Sequence, residues 1–121
     1  MVTFTDGPAA STVLQLRRAP PFLRVVRPPG DAPGEEEWDA LDQPEDEPRP
    51  DETVFAYRRV GKAGSVHLCV RGKGRGRSGW YATGEYAFVE PQPDEATLRE
   101  TAAWRAWCES QAAKQKENPD G

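Results

Sequence analysis

Hydrophobic and polar positions alternate through the middle of the chain and predict β-strands. Over 53–60 (TVFAYRRV) and 65–71 (SVHLCVR), large apolar side chains recur at every second residue, and GKAG separates the two runs. Such alternation is typical of half-buried strands, and a short glycine-flanked interruption is typical of a hairpin turn. The pattern predicts two antiparallel strands with Gly61 facing Gly64, and with Phe55 and Tyr57 on the more apolar face.

Three further stretches predict strands of the same sheet. Residues 12–18 alternate, residues 22–27 continue the pattern after two prolines, and residues 80–90 form a third long run. We expect the last run to pair antiparallel with residues 65–71 and to bury its even positions. Those even positions are Trp80, Ala82, Tyr86 and Phe88.

The C-terminal region predicts a helix. Pro93, Asp94 and Glu95 suit a first helical turn, and Asn118-Pro119 ends the pattern. At 100° per residue, one stripe is formed by Thr97, Glu100, Trp104, Trp107, Cys108 and Gln111. We expect this stripe to cover the face of Phe55 and Tyr57. The predicted fold is α+β, a small antiparallel sheet of about four or five strands with one C-terminal helix packed on one face, in a single domain over 1–121.

Acidic and basic residues are strongly segregated along the chain. Residues 30–52 hold eleven acidic residues and one arginine, and they are rich in proline and glycine. Like charges and few apolar groups favour a loop or linker, which we place at 28–52. The alternative is an arm in which Trp38 and Leu41, brought to one face by a helical turn, dock on a basic groove of this chain or of a partner.

The segment 72–79 predicts a basic, glycine-rich hairpin loop. Arginine and lysine alternate with glycine from Arg71 to Arg77, and two aromatic residues follow. A flexible cationic chain beside π-faces is suited to a polyanion such as nucleic acid, and it lacks the P-loop pattern. The alternative is a solvated loop, or one that pairs with the acidic segment. The candidate polyanion-binding residues are Arg71, Lys73, Arg75, Arg77, Trp80, Tyr81, Arg58 and Arg59.

Catalytic and metal-binding patterns are weak. His67 is the single histidine, and Cys69 and Cys108 are the two cysteines. Our strand and helix predictions put Cys108 on the opposite side of the sheet from His67 and Cys69, so no metal site, cofactor or nucleophile–base pair is expected. The acidic residues cluster in a segment that offers no rigid, buried carboxyl group.

Compartment and function class follow from what the sequence contains. We find no long apolar run and no basic start with an apolar segment, and two cysteines favour a reducing compartment; we therefore expect a cytoplasmic protein with no membrane span.

The first hypothesis is a non-catalytic module that binds nucleic acid or another polyanion. The second is a protein-interaction, inhibitor or accessory protein, of a virus or mobile element for example, whose acidic arm contacts a basic partner through Trp38 and Leu41.

Overall fold

The structure is a computed structural model that describes residues 1–27, 38–43, 45–69 and 78–116. Six strands and two helices follow one another along these residues. They are β1 (Val2–Phe4), β2 (Val13–Leu14), β3 (Phe22–Arg27), β4 (Asp39–Leu41), β5 (Thr53–Leu68), β6 (Gly79–Phe88), α1 (Glu95–Arg99) and α2 (Thr101–Lys116).

The strands form one mixed, curled sheet in the order β2-β1-β6-β5-β3-β4. β1 runs parallel to β6, and each of the other neighbouring pairs is antiparallel. The α+β class and the C-terminal helical region are confirmed, but the predicted antiparallel sheet of about four or five strands is wrong in size and strand direction. The parallel pairing comes from β1, whose three residues are too few to produce a recognisable alternation.

Residues 61–64 lie within a strand and do not form the predicted turn. β5 continues from Thr53 to Leu68, and β6 pairs with it on both sides of an irregularity between Val60 and Gly64. The predicted hairpin is wrong because β6 supplies backbone hydrogen-bond partners for both halves of β5. The two halves therefore do not pair with each other across GKAG. The antiparallel pairing predicted for the third run is confirmed over residues 65–68.

Two hydrophobic cores lie on opposite faces of the sheet. Tyr57 belongs to the first core, where its ring meets Phe4 edge-on at 4.9 Å. Its hydroxyl accepts a hydrogen bond from the Ala9 amide at 2.9 Å. The first core consists of Val2, Phe4, Ala9, Leu16, Leu23, Val25, Tyr57 and Tyr86. The second core consists of Phe22, Val26, Val54, Ala56, Leu98 and Trp104.

The helices cover the second core, on the face of Val54 and Ala56. Our prediction that they cover the Phe55 and Tyr57 face is wrong, since the N-terminal segment packs against that face. The single predicted helix is also divided at Glu100, whose ψ of 126° is extended. Glu100 is exposed although it belongs to the predicted stripe, whereas Trp104 is 2% exposed as that stripe requires.

Arg24 of β3 links the sheet to the division between the helices. Its side chain is 0% exposed, and its guanidinium donates hydrogen bonds to the carbonyl oxygens of Leu98, at 3.1 Å, and Asp46. It also lies 5.3 Å from the Trp104 ring. In a continuous helix the Leu98 carbonyl would accept from the amide four residues later. Here it accepts from Arg24 instead, which is consistent with the break at Glu100.

Trp104 should contribute far more to stability than an exposed tryptophan does. We expect Trp104→Ala to lower the free energy of unfolding by about 3–5 kcal/mol, because it leaves a large cavity in the second core. The matched substitution Trp80→Ala removes the same side chain from a site that is 63% exposed, and it should change stability by less than about 0.5 kcal/mol. Urea unfolding measures both values, and equal losses would contradict this packing.

Candidate polyanion interface at the end of β5 and β6

Trp80 is the most exposed large apolar side chain of the described residues, at 63%. It stands directly opposite His67 in the β5–β6 ladder, and the two rings meet edge to face at 5.3 Å. The prediction that Trp80 is buried is wrong, because neither hydrophobic core includes a residue of β5 or β6 at this end of the ladder. Ala82 and Tyr86 are buried as predicted, and Phe88 is half-buried.

Arg17 is the cation that the fold fixes beside Trp80. Its Nη1 donates to the Trp80 carbonyl oxygen at 2.8 Å, and its Nη2 donates to the Tyr81 hydroxyl at 3.3 Å. The guanidinium carbon also lies 4.1 Å from the centre of the Tyr81 ring, a cation–π distance. Tyr81 is 6% exposed, so it positions Arg17 and presents little of its own ring to solvent.

Gly79 makes the close approach of Arg17 possible. Its φ of 151° lies in a region that side-chain-bearing residues rarely adopt, and a Cβ atom there would stand 2.7 Å from Arg17 Nη1. The sequence contains eleven glycines, and alternation alone does not distinguish this one. The cluster that we call the strand-end site consists of Arg17, His67, Gly79, Trp80 and Tyr81.

The other predicted bases lie elsewhere or outside the described residues. Arg58 is exposed but pairs with Ala87, seven residues from Trp80, which is about 23 Å along the strand. Arg59 is half-buried and donates hydrogen bonds to the Ala19 and Gly61 carbonyl oxygens. The residues outside the described part of the chain are Arg71, Lys73, Arg75 and Arg77.

The acidic segment contributes strand β4, and its two apolar anchors lie on opposite faces of the sheet. Trp38 packs on the first core, with its ring centre 6.0 Å from that of Phe55, whereas Leu41 packs on the second core. The helical turn that would bring them together is wrong, since Asp39–Leu41 pairs with β3. Both side chains are half-buried, and residues 28–37 of this segment lie outside the described part.

A cavity of about 290 Å³ opens between the start of β3, β4 and α2. Phe22, Leu41 and Trp104 line it, with Asp42 and Glu109 among the lining residues. Burial raises the pKa of Asp42 above its usual value. Sequence reasoning did not foresee this cavity, because it depends on how β4 and the helix pair meet across β3.

The two cysteines differ in their position relative to His67. Cys69 Sγ lies 3.8 Å from His67 Nδ1 and is exposed, whereas Cys108 is a half-buried neighbour of the second core. Burial raises the pKa of the Cys108 thiol to about 12, which keeps it a thiol near neutral pH. Within the described residues, no three histidine, cysteine or acidic side chains converge in a way that would hold a metal ion.

Comparison with known proteins adds no family. A scan against protein-family models, a search of curated proteins and a search of solved structures each returned no match. In the described part of the chain, neither helix is long and apolar enough to cross a membrane. The interpretation of the strand-end site therefore depends on its own geometry.

Gly79 and Gly84 offer a matched test of that geometry. We expect Gly79→Ala to lower the free energy of unfolding by about 1–3 kcal/mol, because alanine is strained at the φ of Gly79. Gly84→Ala should change it by less than about 0.5 kcal/mol, since its Cβ would meet side chains at 3.7–3.9 Å, ordinary contact distances. Thermal unfolding compares the two, and similar values would argue against a special conformation at Gly79.

Proposed function

We propose that the protein is a non-catalytic module that binds nucleic acid or another polyanion at the end of β5 and β6. The observation that carries this proposal is the exposed Trp80 ring, which stands at the strand end next to the segment with the densest positive charge in the sequence. An exposed aromatic ring beside cations is the arrangement by which proteins combine stacking on bases with attraction to phosphates.

The distribution of basic residues supports the proposal. Residues 71–77 carry four basic residues and no acidic residue, and they connect β5 to β6 between Leu68 and Gly79. These two residues face each other at the end of the ladder, next to the pair formed by His67 and Trp80. Arg17 adds a cation that the fold itself holds there. Attraction to phosphates by such a group of cations is strong at low salt and is screened as salt rises.

Binding should weaken steeply with salt, and the basic segment should account for the slope. We expect the double variant R75S/R77S to make the dependence of log K on log salt shallower by about 1.4, since each phosphate contact on a single strand contributes ~0.7. Fluorescence anisotropy of a labelled oligonucleotide, from about 50 to about 300 mM salt, measures this slope.

The control removes the same charge from another surface. R105S/K114S changes two exposed basic residues of α2 and should leave the slope unchanged. If binding does not respond to salt, or if the two double variants lose affinity equally, the proposed interface is wrong.

A second candidate function is docking of a basic protein partner, and the cavity beside Leu41 favours it. The cavity is lined mainly by apolar side chains, including Phe22 and Trp104. Two acidic residues, Asp42 and Glu109, and one basic residue, Arg18, also line it, so acidic groups are in excess. Leu41 would then line the cavity that the partner enters. Because Leu41 is half-buried against the second core, it would not itself insert into a partner.

Filling the cavity tests the second function separately. Ala112 lines the cavity from α2, so we expect A112F to abolish recovery of a partner in pull-down experiments while oligonucleotide binding persists. A106F adds the same side chain at an exposed position of α2 and should have no effect on recovery. Unchanged recovery with A112F would rule out the cavity as the docking site.

A further inference from the structure

The strand-end site has features that charge attraction alone does not require. A polyanion is attracted by exposed cations wherever they lie, and a large ring in water gives no advantage for contacting phosphate groups. Trp80 is nevertheless 63% exposed, on a regular strand and directly opposite His67. A strand position fixes the direction of the side chain more firmly than a loop position does.

The His67 and Trp80 rings stand nearly perpendicular to each other at the strand end. His67 and Trp80 lie 5.3 Å apart with an angle of 73° between their planes, so the edge of one ring meets the face of the other. Both residues are exposed, and most of the indole surface stays open to solvent. A nucleic acid base has the π-face that stacks on such a ring, whatever its sequence.

Duplex nucleic acid offers few base faces to this surface. Its bases stack on one another, and proteins contact their edges through the grooves. Unpaired nucleotides can instead be splayed out and stacked on aromatic side chains. Arg17 is exposed and lies against the Trp80 backbone, where its charge is available to a phosphate next to a stacked base.

We infer that His67 and Trp80 form a stacking platform for an unpaired base of single-stranded nucleic acid, with Arg17 contacting the neighbouring phosphate. This inference rests on the proposed function and narrows its ligand to one class. Charge supplies attraction to any polyanion, whereas the platform supplies the preference for unpaired bases. Gly79 contributes by allowing Arg17 to lie across the strand beside Trp80.

The test separates stacking from charge by changing the ligand. Anisotropy would measure the affinity of the full chain for a labelled single-stranded DNA, its RNA equivalent, the same DNA as a duplex, and an abasic strand with equal phosphate count. We expect single strands with bases to bind more tightly than the abasic strand by about 5-fold to about 150-fold, the range that stacking of one base gives. The DNA and RNA arms identify which single strand is preferred.

Variants then assign the preference to the platform. W80A should remove the preference for base-bearing strands without changing the salt slope, W80F should retain part of it, and H67A should reduce it. V13A removes apolar surface from an exposed position of β2 and should leave the preference intact. Unfolding measurements on W80A confirm that the fold persists.

Each alternative outcome has a definite meaning. Equal affinity for the abasic and base-bearing strands, or tighter binding of the duplex, would overturn the platform while leaving polyanion binding in place. A base preference that survives in W80A would also overturn it. Failure to bind any of the four ligands at low salt would overturn the platform and, with it, the proposed binding of nucleic acid.

Discussion

The antiparallel pairing of β5 with β6 determines where every other element lies. β3 adds to one side of this pair and β1 to the other, while residues of β5 contribute to the cores on both faces. β5 has sixteen residues, and the N-terminal segment and the helices cover mainly its first half. The second half therefore continues with β6 beyond the cores, and this extension is what presents His67 and Trp80 to solvent.

A buried charge orients the helices against this sheet. Arg24 is fully buried, and its guanidinium donates to two backbone carbonyl oxygens. Burial lowers its pKa from the usual value, in keeping with the cost of removing a cation from water. Hydrogen bonds depend on distance and angle. The acceptors of a buried charge are therefore restricted to fewer positions than apolar neighbours are. The position of Leu98 is thus set by the charge as well as by packing.

Local patterns in the sequence predict the strand segments and the helical region, but not how the strands combine. Residues 22–27 and most of the predicted strand 80–90 are strands, and Trp104 is buried as its stripe requires. The GKAG interruption looks locally like a turn, and only the presence of β6 along both halves of β5 decides against it. The same limit applies to the site: the sequence predicts Trp80 as a candidate, whereas the contact between Arg17 and Trp80 joins residues more than sixty positions apart.

The separation of charge from aromatic surface explains how one small domain would combine affinity with selectivity. In the proposed function, the basic residues of the sequence would attract any polyanion, and this attraction contains no information about base pairing. The Trp80 ring would add that information, because an unpaired base can be splayed out to lie flat against it. The ring can stack on a base only if it is exposed to solvent, and it lies where the cores end. On this proposal the exposure of Trp80 serves binding, whereas the buried Trp104 contributes to stability through the second core.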